Sequence, residues 1–497
     1  MTDEHVDVLI VGAGLSGIGA AHHLRANCPS KSYAILESRD AIGGTWDLFR
    51  YPGIRSDSDM FTLGYSFRPW TAAKSIADGP SILEYVRDTA REGDIERHIR
   101  FGHRVLGASW STPDARWTVT AERVDTGEPV TFTTNFLFGC TGYYRYDAGF
   151  TPDFPGLDDF AGTLVHPQHW PEDLDYADKR VVVIGSGATA VTLVPAMAET
   201  AAHVTMLQRS PTYIMTLPGE DPIAKVIRRL LPEKAAYAVI RWKNVAMQGV
   251  FFQLSRRAPG LIKRVVAATV KRQLPDDVPL DPHFTPSYNP WDQRVCLVPD
   301  GDLFKALRAR KASVVTDRIA TFTPTGLRLE SGAELEADII ISATGLRLQV
   351  LGGMEFTVDG RAIDLADTVG YKGMMFSGLP NLAIALGYTN ASWTLKCDLT
   401  CEYVCRMLNH MDAHGFRKVL PRELPDAEPT LPFIDLKSGY VARAIEQFPR
   451  QGTRAPWRLY QNYARDIMML RRGPLEDEGI EFTRATPQQA EAEPLAA

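Results

Sequence analysis

The sequence predicts an α/β protein in which two similar domains are nested in one chain, together with a helical insertion. Three observations support this prediction. An apolar run followed by a glycine-rich turn and a helical pattern occurs twice, at residues 6–24 and 180–197. Two further apolar runs, within 136–144 and 338–345, end in Thr-Gly, where the chain is expected to cross between the domains. The stretch 211–289 has a helical pattern rich in basic residues.

Length and composition exclude several classes of protein. With 497 residues, 45% of them hydrophobic and 23% charged, the chain is typical of a globular protein of two or three domains. A net charge of −6 gives no general attraction to nucleic acid, so no nucleic-acid partner is expected. Six scattered cysteines form no disulfide framework, which favours a reducing cytoplasm. The N-terminus lacks the basic residues of a signal peptide, and no apolar run reaches the roughly 18 residues of a membrane span.

The first glycine-rich turn is "VDVLIVGAGLSGIGAAHHL", with the G-x-G-x-x-G pattern at Gly12, Gly14 and Gly17. Such glycines permit a tight turn and let a pyrophosphate approach the N-terminus of the following helix. Ser16 lies inside the turn, where its hydroxyl can add to phosphate binding. The next strand, "SYAILE", ends at Glu37, 20 residues after Gly17, where a ribose-binding acid belongs. The pattern predicts a Rossmann-like dinucleotide site, the alternative being a tight turn without a ligand.

The second turn, "KRVVVIGSGATAVTLVPAM", contains Gly185, Gly187 and Ala190. The strand after it, "HVTMLQRSP", ends with Arg209 and Ser210 and has no acid there. An acid repels a 2′-phosphate, whereas a guanidinium binds one with paired hydrogen bonds. This site is therefore predicted to prefer NADPH, and a surface arginine beside an empty turn is the alternative.

The order of the two sites, acid first and arginine second, suits FAD at the N-terminal site and NADPH in the nested domain. The predicted parts are an FAD domain from 1–150 and 340–483, an NADP domain from 151–210 and 290–339, a basic helical insertion at 211–289 and a flexible tail at 484–497. Disulfide reductases with these cofactors need a cysteine pair near the flavin. Thr45 and Trp46 follow the Gly-Gly at the corresponding place, and this argues against thiol chemistry.

Two further patterns carry a family resemblance. They are Gly43-Gly44-x-Trp46 with Tyr51-Pro52-Gly53 and Asp57, and Phe160-x-Gly162-x3-His166-x3-Trp170-Pro171 in the stretch "FAGTLVHPQHWP". Together they resemble the type I Baeyer–Villiger flavin monooxygenases, and the resemblance extends over nearly the whole chain. Stretches such as "WDLFRYPGIRSDSDM" and "GYTNASWTLK" look similar to the ethionamide-activating subgroup of that family.

The resemblance implies a mechanism and two catalytic residues. In this family NADPH reduces FAD, O2 adds to the flavin C4a atom, and the anionic peroxide attacks a ketone carbonyl. Arg294 matches the cation that keeps the peroxide deprotonated, because a guanidinium stabilises negative charge without supplying a proton. Asp57 matches the carboxylate that holds this arginine in place. The alternative is a structural ion pair between the two domains.

The resemblance also implies cofactor contacts, which fall into three groups. The residues expected around FAD, beyond Gly12, Gly14, Ser16, Gly17 and Glu37, are Gly44, Thr45, Trp46, Asp47, Leu48 and Val105. The residues expected around NADP are Arg55 and Ser56 at the nicotinamide end, Gly185, Ser186, Gly187, Ala188, Thr189, Ala190 and Val191 at the pyrophosphate, and Arg209 and Ser210 at the 2′-phosphate. Trp393 is expected at the border of the cofactor and substrate site, although core packing explains it equally well. Gln293 departs from the lysine that many relatives carry before the arginine, so NADPH preference is expected to be weaker.

Two further features are a candidate hinge and a candidate helix start. The stretch with Phe160, Gly162, His166, Trp170 and Pro171 is expected to be a domain hinge, although a lone histidine is often structural. Asn390 and Ser392 are candidate caps of a helix near the flavin.

Residues 225–272 contain twelve Lys or Arg against one acid, Glu233. This composition fits a solvated helical cap, which we favour, or a weak peripheral membrane contact. Cys397, Cys401 and Cys405 lie on one helix face, where a row of small buried side chains explains them better than a metal site, so no metal is expected.

The function expected from the sequence is an FAD- and NADPH-dependent Baeyer–Villiger monooxygenase. It would insert one oxygen atom of O2 into linear or aryl apolar ketones to give esters or lactones, with sulfides and thioamides as further substrates. Two alternatives are an N- or S-oxygenating flavin monooxygenase and a non-oxygenating FAD- and NADP-binding sensor at the membrane surface. A cytoplasmic location is expected, with membrane association only if the basic insertion contacts lipid.

Overall fold

The computed structural model describes residues 4–425, 428–434 and 436–484, and strands occur throughout this part of the chain. The strands are β1 (Glu4–Val11), β2 (Tyr33–Leu36), β3 (Ile99–Arg100), β4 (His103–Ser111), β5 (Arg116–Arg123), β6 (Pro129–Gly139), β7 (Thr163–Val165), β8 (Arg180–Ile184), β9 (His203–Gln208), β10 (Ile214–Leu217), β11 (Cys296–Pro299), β12 (Ala312–Thr316), β13 (Ile319–Thr323), β14 (Gly326–Leu329), β15 (Glu334–Glu336), β16 (Ile339–Ser342), β17 (Glu355–Val358), β18 (Arg361–Ile363), β19 (Gly370–Tyr371), β20 (Met375–Phe376), β21 (Leu382–Ile384), β22 (Phe416–Pro421), β23 (Leu431–Pro432), β24 (Arg450–Gln451) and β25 (Ile480–Arg484).

The α-helices are of very different lengths. They are α1 (Leu15–Asn27), α2 (Thr45–Leu48), α3 (Met60–Leu63), α4 (Gly79–Glu92), α5 (Ala188–Met197), α6 (Pro222–Leu230), α7 (Glu233–Arg257), α8 (Pro259–Lys271), α9 (Leu280–His283), α10 (Asp302–Arg308), α11 (Trp393–His414), α12 (Gly439–Ala442) and α13 (Tyr463–Ile467). No helix in the described ranges is long and apolar enough to cross a membrane.

The larger sheet has the strand order β18-β17-β4-β5-β6-β1-β2-β3, and β21 also pairs with β6. Strand β1 is parallel to both β2 and β6, in a register that places Val8 beside Tyr33 and Phe136. Its side chains alternate between two hydrophobic clusters, with Val8 and Ile10 in one and Leu9 in the other. Burial on both faces explains why β1 is an almost continuous apolar run in the sequence.

The second sheet is nested within the first along the chain. Its order is β12-β9-β8-β16-β7, and all of its strands are parallel. The chain leaves the larger sheet after β6, builds the second sheet, and returns after β16 to add β17, β18 and β21. This arrangement confirms the predicted α/β fold with two nested Rossmann-like domains.

The two connections between the sheets lie side by side. The Arg145 N–H donates to the Arg347 carbonyl at 2.9 Å, and the Phe150 N–H donates to the Gly345 carbonyl at 3.1 Å. The Gln349 N–H donates back to the Tyr143 carbonyl at 2.9 Å. Residues 143–150 and 345–349 therefore form a paired linker, which we call the double linker.

Helices α6–α9 lie between β10 and β11 in the chain, where a helical insertion was predicted. Strand β10 falls inside the predicted insertion and pairs in parallel with β11, which belongs to the predicted second part of the NADP domain. The division of the chain into domains at 150, 210, 289 and 339 stays a prediction. Arg484, the first residue of the predicted tail, closes β25, and residues 485–497 lie outside the described part of the chain.

Candidate functional site

The first glycine-rich turn connects β1 to α1, and two of its glycines are required by close packing. Gly12 has φ +106°, and a Cβ there would lie 2.6 Å from the Cys140 carbonyl oxygen. A Cβ on Gly17 would lie 1.8 Å from the Gly12 carbonyl oxygen. Gly14 precedes the first residue of α1 and faces Gly44, whose Cβ would lie 3.1 Å from the Gly14 Cα. The turn is therefore tight, and only backbone separates α1 from the loop before α2.

Glu37 follows β2 and lies against this turn. Its carboxylate is buried and accepts hydrogen bonds from the Ala13 N–H at 2.7 Å and the Arg39 N–H at 3.0 Å. Burial raises the pKa of Glu37. The His103 N–H donates to the Glu37 carbonyl at 2.9 Å, which brings β4 and the buried Val105 beside the acid. Glu37, the predicted ribose acid, and Val105, the predicted adenine contact, are thus brought to one edge of the sheet.

Arg39 was not predicted as a site residue, although it is a basic residue only two positions after Glu37. Its Nη2 donates to Asp47 at 2.5 Å, while its Nη1 is buried and has no hydrogen-bond partner among the described residues. A buried guanidinium nitrogen without a partner carries a large desolvation cost. An anionic ligand beside Glu37 satisfies this donor, so the residues present fit the adenosine pyrophosphate of FAD.

Helix α2 contains four predicted flavin contacts, Thr45 to Leu48. The Asp47 carboxylate is buried and is engaged by Arg39 at 2.5 Å and Arg87 at 3.1 Å. Its side chain therefore holds α2 against α4. Trp46 is partly buried against the core below the first turn.

Asn390 and Ser392 differ from their predicted roles, whereas the predicted phosphate contact of Ser16 stays a prediction. The Ser16 hydroxyl is buried and accepts a hydrogen bond from Trp393 Nε1 at 2.8 Å, so it is engaged with α11. Ser392 precedes α11 without capping it, because its hydroxyl bonds to the Thr62 hydroxyl at 2.6 Å. Asn390 donates instead to the Gln461 carbonyl at 3.0 Å. The prediction of a side-chain cap is wrong, since partners distant in sequence compete for both side chains.

The second glycine-rich turn connects β8 to α5. Gly185 has φ +140°, and a Cβ there would lie 2.4 Å from the Ala343 carbonyl oxygen, so this glycine is required by packing. A Cβ on Gly187 would meet no atom within 4 Å. The open space beside Gly187, at the start of a ten-residue helix, is where a pyrophosphate can approach the backbone. Ala190 and Val191 are buried beneath the turn.

The residues after β9 complete this second site. The Ser186 hydroxyl donates to the Ser210 carbonyl at 2.9 Å, which ties the turn to the end of β9. Arg209 is exposed beside it, and no acid in the described ranges pairs with it. An uncommitted guanidinium at this position fits the 2′-phosphate of NADP.

Residues 51–57 connect the two sheets. The Tyr51 hydroxyl bonds to the Thr189 side chain in the first turn of α5. Gly53 has φ +75°, and a Cβ there would lie 2.7 Å from the Ala196 Cβ. Arg55 forms an ion pair with Asp302 at the start of α10. The Tyr-Pro-Gly pattern thus packs the first domain directly on the helix of the second glycine-rich turn. Ser56 is buried here and donates its N–H to the Ala77 carbonyl at 2.9 Å.

Asp57 and Arg294 meet at this junction in an ion pair. Their side chains are 45% and 31% exposed, so the pair is open to a ligand on one side. The Asp57 carboxylate raises the pKa of Arg294 well above its ordinary range. Arg294 Nε is buried and has no hydrogen-bond partner among the described residues. Arg294 is therefore a guanidinium fixed in place by Asp57, with one donor that is unused among the described residues.

Three tyrosines surround Arg294 that the sequence did not single out. They are Tyr143 and Tyr144 in the double linker and Tyr440 in α12, and all three interact electrostatically with the guanidinium. Burial raises the pKa of Tyr144 and of Tyr440 to about 12. The phenols are thus neutral near pH 7, and Asp57 is the only acid among the described residues that forms an ion pair with Arg294. The signal for Tyr143 and Tyr144 in the sequence was the "GYYRY" that follows β6.

Trp393 begins α11 and reaches the same region. Its ring lies 5.2 Å from the Tyr143 ring, measured between centroids, and its indole N–H donates to Ser16. It therefore connects the first glycine-rich turn with the aromatic surroundings of Arg294. This placement fits either of the two predicted roles of Trp393, a position at the border of the cofactor and substrate site or packing in the core.

The "FAGTLVHPQHWP" stretch contacts the double linker. His166 Nε2 lies 3.1 Å from the Gly345 carbonyl oxygen, and a Cβ on Gly149 would lie 2.0 Å from the His166 ring. Gln168 donates to the carbonyls of Arg145 at 2.8 Å and Tyr146 at 3.0 Å. It was not predicted from the sequence. Burial lowers the pKa of His166, so the ring is neutral near pH 7.

The rest of this stretch packs on the second domain. The Phe160 ring contacts Phe322, and a Cβ on Gly162 would lie 2.5 Å from the Asp338 carbonyl oxygen. Trp170 and its neighbour Pro171 follow a short 3-10 helix, and the Trp170 ring is partly buried against the core around α5. The predicted hinge residues thus divide between the second domain and the double linker.

The cysteines of α11 are packing residues, as expected. Cys397, Cys401 and Cys405 are buried in the core cluster shared with α1. Burial raises the pKa of the Cys397 thiol to about 12, and it raises the pKa of Cys401 as well. Their thiols are therefore protonated.

Two family models match parts of the chain. The model described as "NAD(P)-binding Rossmann-like domain" matches residues 10–75, and the model described as "Flavin-binding monooxygenase-like" matches residues 75–226. The matched ranges contain both glycine-rich turns, Asp57 and the predicted hinge.

Relatives of known name match almost the whole chain. The FAD-containing monooxygenase EthA of Mycolicibacterium smegmatis is 57% identical over 482 residues, which are 97% of this chain and 98% of that protein. A solved structure of an oxidised steroid monooxygenase bound to NADP is similar with a TM-score of 0.71 and 25% identity, over 85% of this chain and 88% of that one. An open structure of cyclohexanone monooxygenase, with a TM-score of 0.74, 22% identity and coverage of 97% and 100%, shares the fold. The chain therefore belongs to the family of FAD-containing, flavin-binding monooxygenases.

Proposed function

We propose that this enzyme is an NADPH-dependent Baeyer–Villiger monooxygenase that converts apolar linear or aryl ketones into esters or lactones. The observation that carries the proposal is the partly exposed ion pair of Arg294 and Asp57, held where the two domains meet. Sulfides and thioamides are further substrates that we propose, since a soft sulfur centre accepts an oxygen atom without carbonyl activation.

The chain's contribution to the chemistry follows from this pair. Bound FAD supplies the redox chemistry, passing electrons from NADPH to O2. Arg294 stabilises negative charge on the reacting oxygen, and because its pKa is raised it does not surrender a proton there. Asp57 orients the guanidinium, and a misplaced charge lowers a rate steeply.

The substrate class follows from what lies near Arg294 in the chain. Trp291 has φ +69°, and its ring contacts Phe252 of α7 at 5.7 Å and Phe251 at 6.5 Å, measured between centroids. These rings form an apolar cluster that begins three residues before the cation in the chain. An apolar cluster near one fixed charge favours a molecule with a single polar carbonyl.

We also propose the predicted cofactor contacts and a hinge. The first turn, with Glu37 and Arg39, holds the adenosine end of FAD, and α2 with Thr45 and Trp46 lies along the rest of it. His166 and Gln168 bind the double linker, so a rotation of one domain against the other must strain or break their hydrogen bonds. These contacts support a role for both residues in controlling domain motion.

NADPH selectivity depends on Arg209 in this proposal. Arg209→Ala is expected to raise the KM for NADPH by about tenfold to a hundredfold, because a charge-assisted hydrogen bond contributes about 1.5–3 kcal/mol. The KM for NADH should stay unchanged, since NADH lacks the 2′-phosphate. Steady-state kinetics with both nucleotides measure this, with the exposed Arg318→Ala as matched control. Equal changes for both nucleotides would show that Arg209 does not contact the phosphate.

A product balance tests the proposed reaction. The enzyme is incubated with NADPH, O2 and either a linear methyl ketone, an aryl methyl ketone or an aryl methyl sulfide. We expect one ester per NADPH oxidised with the ketones and one sulfoxide per NADPH with the sulfide. Sulfoxide without ester would identify an S-oxygenating enzyme, and hydrogen peroxide alone would identify a protein that does not oxygenate these substrates.

A further inference from the structure

The helical insertion has an unusual outer surface. Eleven of the sixteen exposed large hydrophobic side chains in the described part of the chain lie between Ile223 and Val265, ten of them on α6, α7 and α8 and one, Leu231, just after α6. Soluble proteins scatter such residues singly over their surfaces, and a concentrated set marks a contact with an apolar partner.

Helix α7 shows how this surface is built. Val239, Trp242, Met247, Val250 and Leu254 are each 44–59% exposed. At 100° per residue, these five positions fall on one stripe about 140° wide. The opposite side of the helix is buried and holds the polar contacts to the rest of the protein, among them Arg241 and Asn244. A helix that borders only water has the reverse pattern, with its apolar stripe facing inward.

The ends of the stripe are basic. Lys234 precedes it and Arg257 follows it, and α8 adds Lys263 and Arg264 beside the exposed Leu261 and Val265. None of these four cations has an ion-pair partner among the described residues. Lys243, which falls within the stripe, is neutralised by Asp221. The outer surface is therefore apolar in the middle and positively charged around it.

We propose that α6–α8 form a docking face for an anionic lipid bilayer, with α7 lying in the plane of the interface. Apolar side chains then enter the boundary between headgroups and acyl chains, while the surrounding cations contact lipid phosphates. Charge complementarity selects this partner over a second copy of the chain, because two copies would bring the same unpaired cations together. The inference does not rest on the proposed reaction.

Vesicle sedimentation of the FAD-loaded enzyme tests this inference. Vesicles of phosphatidylcholine alone are compared with vesicles of phosphatidylcholine and phosphatidylglycerol in equal amounts, at low and high ionic strength. We expect retention on the anionic vesicles at low ionic strength, with binding at least about tenfold weaker to the neutral ones and a marked loss in salt. Equal binding to both vesicles, or to neither, would overturn the proposal.

Variants assign the binding to this face. The double variant Trp242→Glu, Val250→Glu is expected to weaken binding to anionic vesicles by at least about tenfold, because it places charges in the apolar stripe. Val124→Glu, which changes an equally exposed residue in the turn between β5 and β6, should bind as the wild type does. Lys263→Glu with Arg264→Glu tests the cations separately and changes only partly or fully exposed positions. It should also weaken binding, so the test stands even if the first variant fails to fold.

Bound flavin and the melting temperature show that each variant is folded. Unchanged vesicle binding by both double variants would overturn the proposal. The proposal would also be overturned if the wild type formed a dimer and bound no vesicles, and if the Trp242→Glu, Val250→Glu variant dissociated that dimer. The face would then be covered by a second copy of the chain.

Discussion

Replacing Arg294 with alanine is expected to lower the rate of ester formation from a ketone by about a hundredfold to a thousandfold, the usual effect of removing one group that stabilises developing negative charge. The guanidinium is held by Asp57 and surrounded by neutral phenols, so no neighbouring cation replaces it among the described residues. NADPH oxidation should continue, because the change leaves both glycine-rich turns intact. The electrons should then appear as hydrogen peroxide.

Product analysis measures this effect as ester and hydrogen peroxide formed per NADPH consumed. Arg256→Ala is the matched control, since Arg256 is a partly exposed arginine that also pairs with an aspartate, Asp292, at 2.9 Å. Asp57→Asn should lower ester formation by a smaller factor, because the cation remains but loses its orienting partner. Ester formation by Arg294→Ala at the wild-type rate would show that this charge takes no part in the reaction.

Gly17→Ala is expected to destabilise the protein by at least about 3 kcal/mol, in the range of the most damaging single substitutions. The new Cβ would lie 1.8 Å from the Gly12 carbonyl oxygen and 3.0 Å from its carbon, and these backbone atoms cannot rotate away as a side chain could. Relief requires α1 to move from β1, which also opens the FAD site. Denaturant unfolding of the flavin-loaded protein measures the loss, and flavin release should accompany it.

The second glycine-rich turn offers the control for this substitution. Ala190 occupies there the position that Gly17 occupies in the first turn, and it is buried, so that turn accommodates a Cβ. Ala190→Gly should cost about 1 kcal/mol through helix propensity alone and leave the flavin bound. A Gly17→Ala protein that unfolds at the wild-type denaturant concentration would mean that α1 shifts freely.

The fold was predictable because its signals are local. A strand, a glycine turn and a helix follow one another within about twenty residues, and both copies of this pattern lie where expected. The same locality explains what was missed. Arg39 and Gln168 gain their importance from Asp47 and from the double linker, and such contacts have no periodicity in the sequence.

The helical insertion shows the same limit. Its composition predicted helices with many cations, but a basic helix with interleaved apolar residues fits either an inward or an outward apolar stripe. Only the polar contacts of Arg241 and Asn244 show which side of α7 faces the protein. The caps expected for α11 failed for a similar reason, because Ser392 and Asn390 bond to residues far away in the chain.

The buried thiols have a consequence for how long the enzyme lasts. A flavoprotein that reacts with O2 releases some oxidant into its own surroundings, and the species vulnerable to it is the thiolate. All six cysteines are buried, and burial raises the pKa of Cys140, Cys296, Cys397 and Cys401, so these sulfurs stay protonated and out of reach. These four thiols are thereby protected from oxidation during turnovers that end without product.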